Sequence, residues 1–425
     1  MTILSRRLRT LACLFAPLLI AAPALHAEPP APAGSLPELQ APTTIQTTDP
    51  WLYRGTDIPQ DKEWKFGQLP NGLRYAVRDN GVPPGQVSIR IRIDAGSLYE
   101  TDQERGFAHL IEHLTFRESK YVPNGTAIAT FQRLGATFGS DTNAETTPTQ
   151  TVYKLDLPNA SLPKLDETLR LMSGMIREPA LSKDNLSVDV PIVMAEAREN
   201  GGAARRVSDA TRSTFFDGQP LADHSTIGTT ESLQSATADA VRAFHNRWYR
   251  PENTVIAIVG DGTPELFASL IERYFGDWKA SGPHVPQPDF GAPVPPKGVT
   301  GQAPVGAVQV EIEPDLPRAM SWAIMRPWHQ VNDNLEYNRG MMIDSVAQAI
   351  INRRLEARAR AGGSYLFASV QQDKVSRSAD GTFVTVTPLG EDWKQAVKDV
   401  RSVIADALAT PPTEEEIDRE LAEFD

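Results

Sequence analysis

Two hydrophobic periods organise the chain. In "VSIRIRI" (87–93), Val87, Ile89, Ile91 and Ile93 share one face and Arg90 and Arg92 the other. A period of two predicts a strand buried on one side, in an antiparallel or mixed sheet. "TVYKLDLP" (151–158) alternates in the same way, and the apolar run in "NTVIAIVGD" (253–261) predicts a buried strand. Helical spacing predicts helices at "GFAHLIEHLTF" (106–116), near 127–136, and over 162–177, 189–200, 237–249 and 264–276. After the proline cluster "GPHVPQPDFGAPVPP" (282–296) the order begins again. Strands are expected at "QVEIEP" and "MSWAIMRP", then a long helix over 334–360, strands at 364–372 and 382–387, and a helix over 392–409. The last residues, "PPTEEEIDRELAEFD", start one more helix, with Thr413 as N-cap and acids in the first turn.

This pattern predicts an α+β fold made of a duplicated unit. The expected divisions are a domain over 61–281, a proline-rich linker over 282–303 and a second homologous domain over 304–425, cut short at its C-terminal end. Residues 28–60, rich in Pro, Ala and Thr, read as a disordered spacer. Residues 1–27 read as a secretory signal peptide. "MTILSRRLRT" carries three arginines, "LACLFAPLLIAA" is a short apolar run, and "ALHA" offers a small residue for cleavage. The only cysteine, Cys13, lies in this leader, so the exported chain has no disulfide. A periplasmic or secreted location follows.

Composition narrows the function. The chain has 425 residues, 40% hydrophobic and 23% charged, with a formal net charge of −12. That balance disfavours nucleic acid and anionic membrane surfaces as partners. No run is long enough for a stable membrane span.

The chemistry is concentrated in His-x-x-Glu-His. On a helix, His109 and His113 are separated by about 400°, which leaves them about 40° apart. Both imidazoles can therefore reach one ion, while Glu112 projects toward a water beside it. Zinc takes neutral imidazoles and leaves a position open for water, and an adjacent carboxylate can move the proton. Three fixed positions in five also occur by chance on amphipathic helices. A third ligand has to come from elsewhere. "SVDVPIVMAEAREN" (187–200) offers Asp189, Glu196 and Glu199, and spacing does not choose among them. Tyr153, Trp248 and Tyr249 read as packing residues.

Several segments occur in the order of one family: "LPNGLRYAVRDN", "DAGSLYETDQERGFAHLIEHLTF", "LGATFGSDTNAETTPTQTVYKLDLP", "STIGTTESLQ" and "FHNRWYRPENTVIAIVGD". With these the sequence resembles the insulinase–pitrilysin family of zinc metallopeptidases, which includes mitochondrial processing peptidases and periplasmic zinc proteases. The resemblance implies repeated sheet-plus-helices domains of the LuxS/metallopeptidase-like type and one zinc per catalytic domain. It assigns the third ligand to Glu196, seven residues after Asp189, and gives Asp189 a supporting role where the family usually has glutamate. It makes Arg358 and Tyr365, in "LEARARAGGSY", a pair that assists at the substrate carbonyl, and Asn143 and Ala144 part of a substrate-binding strand. One departure is "FRES" after "HLTF", where the family usually has a glycine.

The reading is an exported zinc endopeptidase that hydrolyses peptides or unfolded proteins, with Glu112 as general base. A second half is expected from the same longer chain or from a homologous subunit. An inactive homologue that holds peptides is the alternative; inactive members typically lose part of the motif, and here it is complete. An ordinary periplasmic binding protein explains neither motif nor repeat.

Overall fold

The computed structural model describes residue 51 and residues 54–294 and 306–424. The leader read over 1–27, most of the spacer and the later part of the linker lie outside the described residues. The chain forms two compact units, one mainly Asp61–Gly291 and the other mainly Ile312–Asp425.

The first unit runs β1 (Trp64–Gln68), β2 (Arg74–Asp79), β3 (Val87–Ile93), α1 (Phe107–Arg117), α2 (Ala127–Leu134), β4 (Thr142–Thr146), β5 (Thr151–Leu157), α3 (Leu162–Arg177), α4 (Lys183–Glu199), α5 (Ala203–Phe215), α6 (Thr230–Gln234), α7 (Ala238–Trp248), β6 (Thr254–Gly260) and α8 (Pro264–Phe275). Its six-stranded sheet has the order β1-β2-β6-β3-β5-β4. Only β2 and β6 run parallel; the other pairs are antiparallel. The period-two pattern sets the core. Ile89, Ile91 and Ile93 of β3, Tyr153 and Leu155 of β5, and Ile256 and Ile258 of β6 are all buried. Their neighbours in sequence face the other side and are half-buried. Tyr153 and Tyr249 are buried with their hydroxyls 2.8 Å apart, and Trp248 packs edge-on against Tyr99. The proline-rich stretch starts by packing back on this unit: Phe290 is buried against Tyr99, and Arg250 donates to the Ser281 and Gly282 carbonyls.

The second unit runs β7 (Met320–Pro327), α9 (Leu335–Arg360), β8 (Tyr365–Val375), β9 (Ala379–Pro388), α10 (Trp393–Ala409) and α11 (Glu414–Phe424). Its sheet has three strands in the order β7-β9-β8. Ile351 and Leu355 of α9 and Ala396 and Val400 of α10 cover Tyr365, Val370, Val384 and Val386. The expected strand at "QVEIEP" does not form. Val308, Val310 and Ile312 are 78%, 79% and 83% exposed, because alternation without a neighbouring ladder has nothing to pair with.

Helix α1 is fixed at its start by backbone contact. Gly106 precedes it at φ 92°, a left-handed conformation that glycine adopts without strain. Glu100 supplies the missing cap, its two carboxylate oxygens accepting the Gly106 and Ala108 N–H groups at 2.8 Å each. Gly228 crosses directly over this turn at φ 76°. A Cβ there would lie 2.5 Å from the Arg105 oxygen and 2.6 Å from the Gly106 Cα. Gly228→Ala is therefore expected to cost about 1–3 kcal/mol, read as a lower midpoint in urea unfolding. An unchanged midpoint would mean that the crossing loop yields freely.

Candidate metal centre

Helix α1 carries His109, Glu112 and His113 on the side facing α4 and β4. Oε2 of Glu196, from α4, lies 3.7 Å from Nε2 of His109 and 3.5 Å from Nε2 of His113. Those separations exceed a charge-assisted hydrogen bond of about 2.7–2.9 Å. They match two atoms that each sit about 2.0–2.1 Å from one tetrahedral ion, which are then about 3.4 Å apart. The two rings meet edge-on with centroids 4.8 Å apart. His109, His113 and Glu196 are the one His/Cys/Asp/Glu group among the described residues with metal-holding geometry. The residues thus fit a tetrahedral cation.

Electrostatics agree with that use. Burial, helped by His113, pushes His109 down to about 4. Burial also lowers His113, opposed by the Glu196 and Asp189 charges. Both rings are thereby kept in the neutral form that ligates metal. Glu112 behaves differently from an exposed carboxylate. Burial pushes it up to about 7, the Thr146 hydroxyl opposes this, and the Glu196 and Glu145 charges add to it. Thr146 Oγ1 donates to Glu112 Oε2 at 2.6 Å. A carboxyl that titrates near neutrality suits proton transfer in either direction.

The other expected residues fall in two groups. Asn143 and Ala144 lie on β4, at the edge of the six-stranded sheet. β4 pairs with β5, and the Asn143 side chain accepts the Ala144 N–H at 2.9 Å. Asp189 is buried and does not bond an imidazole; it accepts from Arg117 Nε at 2.5 Å and Nη2 at 2.8 Å. Glu199, the remaining acid considered on α4, is exposed. Arg358 and Tyr365 belong to the second unit. Tyr365 is 2% exposed and its hydroxyl donates to the Leu355 carbonyl at 2.7 Å. Arg358 bonds Asp399 at 3.4 Å. The Tyr365 hydroxyl is thus already engaged, whereas the Arg358 side chain is 46% exposed and commits only Nη2 to Asp399.

Three residues bonded to the elements or side chains of the site went unremarked in the sequence: Glu100, Arg117 and Thr146. Arg117 had a signal, since it stands one helical turn beyond His113 on the same face. Glu100 and Thr146 had none strong enough, because their partners are set by the tertiary fold.

Comparison with known proteins places this geometry. The model described as insulinase (peptidase family M16) matches residues 77–229, and the peptidase M16 inactive domain matches residues 235–424. A probable zinc protease, PqqL, of Escherichia coli is 33% identical over 215 residues, 51% of this chain and 23% of that protein. A PQQL-like zinc protease of Arabidopsis thaliana is 31% identical, over 52% of this chain and 23% of its own length. The matched region therefore spans about a quarter of these relatives. The crystal structure of the periplasmic protease PqqL from E. coli superposes with a TM-score of 0.73 at 24% identity, covering 85% of this chain and 39% of that one. The structure of its first half gives 0.71 at 25% identity, covering 85% and 76%. The two family models follow one another along most of the described sequence, and the converging histidines and glutamate lie inside the first of them, so the chain belongs to the M16, or insulinase, family of peptidases.

Proposed function

We propose that this chain carries the zinc-holding half of an exported metalloendopeptidase acting on peptides or unfolded proteins. The convergence of His109, His113 and Glu196 within 4.8 Å carries the reading. Zinc is the ion favoured by two neutral imidazoles and a carboxylate, and similar proteins are described as zinc proteases. When bound, the ion supplies Lewis-acid polarisation and lowers the pKa of a water to about 7. Glu112 takes the proton of the attacking water and returns it to the leaving amine. Thr146 holds one carboxylate oxygen and leaves the other for that proton. A peptide adds to the free edge of β4 beside Asn143 and Ala144 through main-chain hydrogen bonds, which makes sequence preference broad.

The second unit, matched by the inactive-domain model, contains no such cluster among the described residues, and its role is to enclose substrate. Arg358, through N–H groups other than the one on Asp399, and Tyr365, once its hydroxyl leaves the Leu355 carbonyl, assist at the substrate carbonyl in cis or from a partner. A second half comes from a longer chain or a homologous subunit. Export rests on the leader pattern of 1–27 and on the periplasmic location stated for the E. coli relative. No helix among the described residues is long and apolar enough to cross a membrane.

Metal analysis of the purified protein, followed by cleavage of a quenched peptide library with and without chelator, tests the proposal. One zinc per chain and chelator-sensitive cleavage are expected, whereas a metal-free protein that takes up no added zinc refutes it. Thr146→Val keeps the β-branched shape that suits a strand and removes only the hydroxyl. It should lower kcat about tenfold with KM and zinc content unchanged, and Thr146→Ser should restore most of the loss. Parental kcat in Thr146→Val would remove Thr146 from the account.

A further inference from the structure

Helices α1 and α4 meet along a seam with three levels. At the first, Asn185 of α4 donates to Glu118, just past the end of α1, at 2.8 Å. At the second, Arg117 donates through Nε and Nη2 to both oxygens of Asp189. At the third stand His109 and His113, facing Glu196. The spacing makes this a single alignment. His109, His113 and Arg117 are four apart on α1, and Asp189 and Glu196 are seven apart on α4. Each set therefore lies on one helical face.

From this we infer that Arg117 is a positioning residue for the metal centre. Its two-pronged bond to Asp189 sets the register of α4 against α1 and so brings Glu196 to the two imidazoles. The inference rests on the reading of His109, His113 and Glu196 as a zinc site.

Three observations carry it. The pair is enclosed: the Asp189 side chain is 3% exposed and that of Arg117 20%. A planar guanidinium gripping both oxygens fixes orientation as well as distance, which a point charge does not. Second, Pro191 stands inside α4 between Asp189 and Glu196. Proline lacks the N–H that would bond the carbonyl four residues back. The helix thus loses the bond from residue 191 to the Ser187 carbonyl, across the turn that carries Asp189, and the Arg117 fork holds that turn from outside. Third, a ligating histidine usually has its other ring nitrogen held by a hydrogen-bond partner. His109 Nδ1 is buried and has no partner among the described residues. Orientation of that ring must then come from the placement of its helix.

The test measures zinc affinity of the full chain by competition with a chromophoric chelator, alongside the melting temperature of the metal-free protein. Arg117→Met alone would strand a buried carboxylate, so the deciding variant is Arg117→Met/Asp189→Leu, which removes both charges together. Zinc affinity about tenfold or more weaker, with a metal-free melting temperature close to the parent's, is the expected result. An affinity within about threefold of the parent's overturns the inference. Should the double variant not fold, Arg117→Lys decides by the same two thresholds, because it keeps the charge and loses only the fork. A parent chain that binds no zinc is a separate outcome: it refutes the zinc reading itself, and this inference with it.

Discussion

Glu112→Gln is expected to leave zinc bound and to abolish peptide cleavage. The amide has nearly the shape of the carboxylate, and its oxygen can still accept the Thr146 hydroxyl that now bonds Oε2. It cannot accept a proton. General-base catalysis contributes about 10²–10⁴ in rate. The same group also returns the proton to the leaving amine, so the loss in kcat should reach at least about 10³. The carboxylate is set up for this use: burial lifts it to about 7, while the Thr146 donor holds it back. A cation alongside shifts it down again, because a nearby positive charge favours the ionised form. Zinc stoichiometry separates the outcomes. Near-parental turnover with zinc retained would end the general-base assignment. Zinc lost together with activity would move Glu112 into the ligand set.

Legibility in the sequence followed the strength of the physical signal. The strands with strict alternation, β3 and β5, were readable because one buried face demands it. β6 was readable as a buried strand from its apolar run, and in the sheet it alternates, with Val255, Ala257 and Val259 half-buried. β1 and β2 were not anticipated, and β4 was expected only through the family resemblance that made Asn143 and Ala144 part of a strand. β1 and β4 are five residues each, and all three have mixed, half-exposed faces. Segment 308–312 carried the alternating pattern and formed no strand, because pattern alone provides no partner. Helix α4 was expected from residue 189 and begins at Lys183, capped by the Ser182 hydroxyl. At the site, the two histidines and Glu112 were legible from spacing on one helix. The choice among Asp189, Glu196 and Glu199 was not, since all three share a helix and only resemblance to a family separated them. The structure gives a physical reason for that choice: Asp189 is already bonded to Arg117, Glu199 is exposed, and Glu196 faces both rings.

Glu196→Gln is accordingly expected to remove the metal while leaving the fold intact. Its side chain is 39% exposed, and its Oε2 stands 3.7 and 3.5 Å from the two imidazole nitrogens, too far for a strong bond to either. The metal-free variant should therefore melt close to the metal-free parent. A catalytic zinc needs three protein ligands, and substitutions merely adjacent to such ligands weaken binding about 10–100-fold. Loss of a charged ligand should exceed that, leaving two imidazoles that hold zinc weakly and no measurable cleavage at ordinary zinc concentrations. Stability provides an activity-independent readout. Zinc at 100 times its dissociation constant should stabilise the parent by about 2.7 kcal/mol, and the same addition should leave Glu196→Gln nearly unmoved. Glu199→Gln serves as the internal control, one turn along the same helix and exposed; it should bind and respond as the parent does. If Glu196→Gln keeps the zinc-induced shift and Glu199→Gln or Asp189→Asn loses it, the third ligand has been misassigned. In that case α4 must rotate on metal binding, because in the present arrangement only Glu196 of those three acids belongs to the metal-holding cluster.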